Sequence, residues 1–263
     1  MILDEIVNNK LKEVARRKKE VPLAVLKSKL TASTPTRNFR KAISSPTKIN
    51  IITEIKRASP SAGVIIKNFS LEELARIYEK NGASALSILT DQKFFRGELK
   101  DLEKARKASS LPILAKEFIV DEYQIYEART GGADAILLIA RILDREKLKK
   151  YLDLAWQLDL DCLIEIHAEE EWQKIKDLSV DIVGINNRNL ADLKIDLETS
   201  FNLINKLPSD KIVVSESGIN NGEDIHRLQE TGVDAFLIGE ALLKSKNVGE
   251  KLREFLEKTA YSV

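Results

Sequence analysis

The sequence predicts a closed α/β barrel in which eight parallel strands alternate with eight helices, preceded by a short helical extension. Three observations predict it. Apolar runs of strand length recur eight times from residue 48 onward, stretches with helical spacing of apolar residues follow each of them, and one short segment repeats at the helix-to-strand joints. The runs are 49–55, 85–89, 112–115, 135–139, 162–166, 182–185, 212–215 and 235–238. The helical stretches are 71–80, opened by Ser70 as its cap, then 99–107, 122–130, 145–158, 169–177, 197–207, 223–230 and 248–258. The repeated segment reads Asn81-Gly82-Ala83-Ser84-Ala85, Gly131-Gly132-Ala133-Asp134-Ala135 and Thr231-Gly232-Val233-Asp234-Ala235, with a glycine where a helix must stop in a left-handed conformation before a buried strand begins. The expected architecture is a TIM barrel as one domain over residues 1–263, with eight βα units in 48–263.

Residues 1–47 read as an extension packed on the barrel. They hold one amphipathic helix with Leu3, Ile6, Val7, Leu11 and Val14 on a face, a loop around Pro35, and a shorter helix near 39–43. Alone they would bury little.

The charge balance narrows the function. Lysine and arginine number 42 against 41 aspartate and glutamate, a net charge of +1, so the basic excess that drives binding to nucleic acid is missing. No apolar run approaches the roughly 20 residues that span a bilayer, and carboxylates interrupt the N-terminus too early for a signal-peptide core. The single cysteine, Cys162, has no partner for an internal disulfide, which points to a reducing compartment, the cytoplasm. The match of Asn68-Phe69-Ser70 to a glycosylation acceptor is then chance, because that modification needs secretion.

Candidate chemistry gathers at the strand ends. Glu54 and Lys56 lie two apart at the end of the first run and share a face. Lys116 follows the third run, Glu165 closes the fifth, Asn186 follows the sixth and Glu216 the seventh. In a closed parallel barrel these ends meet at one mouth. Charges there cost desolvation energy that only pairing and hydrogen bonding repay, and leucine would serve a purely structural role better. The set therefore reads as catalytic, since catalytic groups in this fold come from the ends of several strands at that rim.

The last two units carry a phosphate signal. Ser215-Glu216-Ser217-Gly218-Ile219 follows the seventh run and Gly239-Glu240 the eighth, so a helix N-terminus after each glycine would aim free N–H groups at an anion. The loop Arg57-Ala58-Ser59-Pro60-Ser61-Ala62-Gly63 offers a hydroxyl and a cation from across the mouth. Phe95 and Phe118 follow the second and third runs, where they line the mouth against an aromatic substrate or pack within loops. Only two histidines occur, His167 and His226, without metal-ligand spacing, and His167 reads as structural. Neither a phosphate-binding loop of the nucleotide type nor a dinucleotide fingerprint is present.

These motifs resemble the indole-3-glycerol-phosphate synthase family. The match is carried by Thr53-Glu54-Ile55-Lys56-Arg57-Ala58-Ser59-Pro60-Ser61, Leu86-Ser87-Ile88-Leu89-Thr90, Phe94-Phe95-Arg96-Gly97, Pro112-Ile113-Leu114-Ala115-Lys116-Glu117-Phe118, Leu163-Ile164-Glu165-Ile166-His167, Gly184-Ile185-Asn186-Asn187-Arg188-Asn189-Leu190 and Ser215-Glu216-Ser217-Gly218-Ile219. Glu117 departs from the family's common aspartate, and Glu240 stands where some members carry a hydroxyl.

The resemblance implies a lyase of tryptophan biosynthesis that closes, decarboxylates and dehydrates 1-(2-carboxyphenylamino)-1-deoxyribulose 5-phosphate. Lys116 is then the acid for ring closure. Glu165 is the first choice of base for dehydration and Glu54 the competitor, while Lys56 pairs with Glu54, meets the substrate carboxylate and serves as an acid. Asn186 and Glu216 hold substrate hydroxyls with help from Ser217. Ser59, Gly218, Gly239 and the Glu240 backbone bind phosphate; Phe95, Phe118 and Leu137 enclose the aryl ring; Arg188 orients the carboxylate or a loop. The implied partner is a small phosphorylated molecule, with no cofactor, metal, nucleic acid, membrane or obligate protein partner. A Schiff-base aldolase built on Lys116, a phosphoribosylanthranilate isomerase and a non-catalytic barrel subunit are the rival readings.

Overall fold

A computed structural model describes residues 2–65, 70–189 and 193–257. Asn68 and Phe69 of the glycosylation match, Leu190 of the sixth motif and Lys258 at the end of the last expected helix lie outside the described residues.

Eight parallel strands close into a barrel: β1 (Asn50–Ile55), β2 (Ala85–Leu89), β3 (Ile113–Lys116), β4 (Ala135–Ile139), β5 (Asp161–Ile166), β6 (Ile182–Asn186), β7 (Ile212–Glu216) and β8 (Ala235–Ile238). Each pairs with its sequence neighbours, and β1 closes the ring by pairing Asn50 with Ala235 of β8 and Ile52 with Ala85 of β2. The fold is the (β/α)8 barrel expected from the alternation. Gly82, Gly132 and Gly232 at the three repeated joints have φ of 93°, 93° and 101°, the left-handed region that a side chain resists.

The strands are buried on both faces, which explains why they read as continuous apolar runs rather than alternating ones. Outward side chains pack under the helix ring with Tyr78, Leu102, Ile125 and Phe255, while inward ones, including Ile52, Leu114, Leu163 and Val214, fill the interior. Phe39 and Ile43 of the extension join that interior set and are fully buried. Burying one such side chain is worth about 1.5–3 kcal/mol, so the extension is part of the core and not an appendage.

The extension contains α1 (Ile2–Glu20), α2 (Leu23–Leu30) and the single turn Phe39–Ala42. The sequence reading missed α2, which buries only Leu26 and so lacks a strong apolar stripe. It also misjudged the face of α1. The buried residues are Leu3, Ile6, Lys10 and Val14, whereas Leu11 is exposed. Four residues separate Ile6 from Lys10 and Lys10 from Val14, so the lysine sits squarely in the inward stripe.

Candidate active site

The strand ends converge as the topology demands. Lys116, Asn186 and Glu216 are each the last residue of their strand, one step further inside than the apolar runs alone indicate. They open on a cavity of about 680 Å³ at the C-terminal mouth. Of the expected site residues, Glu54, Lys56, Ser59, Phe95, Lys116, Phe118, Leu137, Asn186, Arg188, Glu216, Ser217, Gly218, Gly239 and Glu240 line this cavity. Glu165 does not. It is buried behind Lys116.

Lys116 is the electrostatic centre. Its Nζ lies 2.8 Å from Oε2 of Glu165 and 3.0 Å from Oε2 of Glu216. Burial, the largest influence, works against its charge, but attraction from Glu165, Glu216 and Glu54 outweighs it and holds the ammonium protonated above its ordinary range. Glu165 shows the reverse balance. Burial favours its neutral form, yet the charges of Lys116 and His167 and hydrogen bonds from Lys116 and Asn186 keep it ionised below the ordinary carboxylate range. Glu216 is pushed up to about 7, chiefly by burial, with the negative charges of Glu165 and Glu54 adding to the push against Lys116. Gly184 on β6 makes room for this cluster: a Cβ there would collide with Glu216 Oε1 and come within 2.5 Å of Leu163 Cδ2.

Glu54 and Lys56 form a second pair, 2.5 Å apart, on the β1 side of the mouth. Gly239 lies against it, since a Cβ at that position would stand 2.7 Å from Glu54 Oε1. Phe95 and Phe118 both line the cavity, and their rings stack at a tilt of 35° with centroids 5.9 Å apart.

At the expected anion corner, Ser217 and Gly218 adopt successive left-handed conformations with φ of 68° and 85°. For serine this costs on the order of 1–3 kcal/mol, a strain that such corners keep when the backbone must turn toward a ligand. Gly239 caps the single turn Glu240–Leu243 as expected. The helix after Gly218 begins only at Gly222, capped by Asn221, so the expected helix N-terminus directly behind Gly218 is displaced along the chain. The carboxylate of Glu240 is offset by Lys244 Nζ at 2.5 Å and Arg188 Nη2 at 3.9 Å. Arg57 supplies no cation to the mouth. Its guanidinium is held by Asp101 at 2.5 and 3.2 Å and bonds the Arg96 carbonyl, leaving Ser59, Pro60, Ser61 and Ala62 as the loop's contribution to the cavity.

Three contributors were not foreseen. Ile2, Leu3 and Ile6 of α1 line the cavity, so the extension forms part of its wall. Lys244 lines the cavity one helical turn after Glu240. His167, the residue after β5, stands 3.3 Å from Glu165, a contact suggested in the sequence only by their two-residue spacing.

Comparison with known proteins gives this geometry a family. The family model described as indole-3-glycerol phosphate synthase matches residues 3–255. A relative named indole-3-glycerol phosphate synthase from Legionella pneumophila (strain Paris) is 44% identical over 97% of this chain and 98% of its own. Another of that name from Caldanaerobacter subterraneus subsp. tengcongensis is 45% identical over 98% of each chain. Among solved structures, a thiamine phosphate pyrophosphorylase from Pyrococcus furiosus superposes with a TM-score of 0.59 at 16% identity, covering 83% of this chain and 96% of that one, a likeness of fold alone. The chain belongs to the indole-3-glycerol phosphate synthase family.

Proposed function

We propose that the cavity binds 1-(2-carboxyphenylamino)-1-deoxyribulose 5-phosphate with its aryl ring against Phe95, Phe118 and Leu137 and its phosphate at Ser59, Gly218, Gly239 and the Glu240 backbone. The observation that carries the reading is a largely buried ammonium, Lys116, kept charged by two carboxylates while open to a cavity with an aromatic end and a strained Ser217-Gly218 corner. Membership of the family makes the chain a carboxy-lyase of tryptophan biosynthesis.

The roles follow from what each group reaches. In ring closure the arene carbon that bears the carboxylate attacks the sugar ketone, and Lys116 gives the ketone oxygen its proton. Carbon dioxide then leaves, its bonding electrons returning to the ring system. In dehydration a base takes the proton from the carbon next to nitrogen while an acid protonates the departing hydroxyl. Glu165 is set aside as the direct base, because it lies behind Lys116 and off the cavity wall. Glu54 faces the cavity and takes that role, with Lys56 beside it as the acid and as partner of the substrate carboxylate. Asn186, Glu216 and Ser217 hold sugar hydroxyls, and Arg188 steadies the carboxylate end. Glu165 serves Lys116 as its counter-charge.

The location proposed is the cytoplasm, and the partner a small phosphorylated molecule. Among the described residues no helix is long and apolar enough to cross a membrane. The experiment is an indole fluorescence assay with the carboxyphenylamino sugar phosphate. Appearance of the indole product is expected; its absence with intact substrate binding would sink the assignment. Borohydride added with substrate should leave no adduct on Lys116, whereas a stable adduct would favour the aldolase.

A further inference from the structure

We propose that His167 is a positioning residue for the reaction: its imidazolium fixes the Glu165 carboxylate from behind, and Glu165 in turn holds the Lys116 ammonium at the cavity. The inference rests on the reading of Lys116 as the acid.

The atoms form one chain leading away from the mouth. Lys116 Nζ is 2.8 Å from Oε2 of Glu165, and the other oxygen, Oε1, lies 3.3 Å from Nε2 of His167. On its far side, Nδ1 of His167 lies 3.3 Å from Oε2 of Glu171, which also accepts the His167 backbone N–H at 2.7 Å. Glu171 Oε1 is held by Arg141 Nε at 3.0 Å. The charges therefore alternate from Lys116 through Glu165, His167 and Glu171 to Arg141.

Glu171 alone would account for a histidine that tethers the helix Glu169–Ile175. It does not account for Nε2. That nitrogen is buried, forms no hydrogen bond of good geometry, and its charged neighbour is the Glu165 carboxylate. A neutral imidazole there would leave a buried polar atom unsatisfied, whereas an imidazolium gains two flanking anions.

The groups facing the ring come from three elements: Glu165 on its own strand, Glu171 on the following helix, and Arg141 after β4, with Lys116 beyond Glu165. Burial lowers the proton affinity of His167, but the hydrogen bond and charge of Glu171 and the charge of Glu165 raise it more than Arg141 opposes, so the net direction is upward. A small hollow of about 90 Å³ lined by Arg141, His167, Asn186, Asn189 and Thr199 adjoins the ring and shares Asn186 with the main cavity. It is large enough for water, which can exchange protons with the imidazole.

The sign of the effect follows. An imidazolium beside Glu165 stabilises its ionised form and lowers its pKa. Without that charge, Glu165 takes a proton at higher pH and releases Lys116, so the acid limb of the rate profile moves upward. Above that limb Glu165 is ionised in either protein, and the difference closes.

Two measurements test it. The chain has two histidines, so NMR titration of a His226→Gln variant reads His167 directly. A pKa above the ordinary value of about 6.5 that falls in Glu165→Gln supports the proposal; a value at or below 6.5, or one indifferent to Glu165→Gln, overturns it. In His167→Gln the acid limb of kcat should rise by about one pH unit, giving a loss that approaches tenfold only below the wild-type limb and stays under about twofold from pH 6 upward, with KM changed by less than about twofold. Glu171→Gln should move the limb the same way by less, and does so without altering the ring next to Glu165. A uniform loss at every pH, or a change confined to KM, overturns the proposal. Should Lys116→Ala retain full turnover, the reading of Lys116 fails, while the titration still reports on His167 independently.

Discussion

Among the described residues, Lys10 and Lys116 both sit among carboxylates, and the proposed chemistry falls to one of them. Lys10 on α1 is fully buried, with Nζ 3.0 Å from Glu13, 2.8 Å from Asp91 and 3.0 Å from Glu117. Lys116, the residue before Glu117, is held by Glu165 and Glu216 at 2.8 and 3.0 Å. In both, burial works against the charge and the neighbouring carboxylates overcome it, so both ammonium groups stay protonated above the ordinary lysine range. The difference is access. Lys116 opens on the cavity, whereas Lys10 forms no part of its wall and ties the extension to the loops after β2 and β3. A paired, desolvated charge is thus common to both; a space in which a substrate can meet the charge separates catalysis from architecture.

The largest effect should come from Lys116→Ala. Losing a general acid lowers kcat by about 10²–10⁴-fold, with KM changing far less if the group acts mainly in the transition state. Its melting temperature should stay near that of the parent, because cavity water can enter the space vacated beside Glu216. Next comes Lys10→Met, which strands Asp91 and Glu117 without a cation and should cost about 3–5 kcal/mol of stability, read by urea or thermal unfolding. Adding Asp91→Asn and Glu117→Gln to it should restore part of that loss. If Lys10→Met left stability unchanged, the two sites would not differ as described.

Gly239→Asp should raise KM about tenfold, equivalent to about 1.4 kcal/mol, by placing an anion at the proposed phosphate corner, and weaken inhibition by inorganic phosphate in parallel. Gly239→Ala separates charge from crowding. Its Cβ meets Glu54, so it should lower kcat more than it raises KM. An unaltered KM in the aspartate variant would count against the corner.

A pH-dependent effect concerns Glu216. Its folded pKa is raised from 4.5 to about 7, so the protonated carboxyl contributes stability fully below 4.5 and loses it as pH climbs through 7. Wild type should therefore lose stability relative to Glu216→Gln across that window, by at most about 1.4 kcal/mol per pH unit. Parallel denaturation curves at pH 5 and pH 8 check this, and a constant difference would contradict it.

Most of the barrel was legible because its signals are local. Strand length, apolar runs and joint glycines are all set within a few residues of one another. The rim was legible for a related reason: a charge at the end of an apolar run is conspicuous, and the topology brings the ends together. What escaped notice depends on contacts distant in sequence. Lys10 in a helix reads as surface until Asp91 and Glu117 approach from the barrel. Arg57 reads as a free cation for the mouth until Asp101 captures it. Glu165 reads as the first choice of base in the sequence and Glu54 as its competitor, and the proposed reversal of that order rests on which of them lines the cavity. The α2 helix buries a single leucine and left too weak a periodic signal.

The most direct measurement is a side-by-side determination of kcat and unfolding free energy for Lys116→Ala and Lys10→Met, at a temperature where both are folded. Lys116→Ala should lose at least about a hundredfold in kcat with little change in stability, and Lys10→Met should show the opposite, keeping kcat within about threefold. Full turnover in Lys116→Ala, or a collapse of kcat in folded Lys10→Met equal to that of Lys116→Ala, would contradict the account.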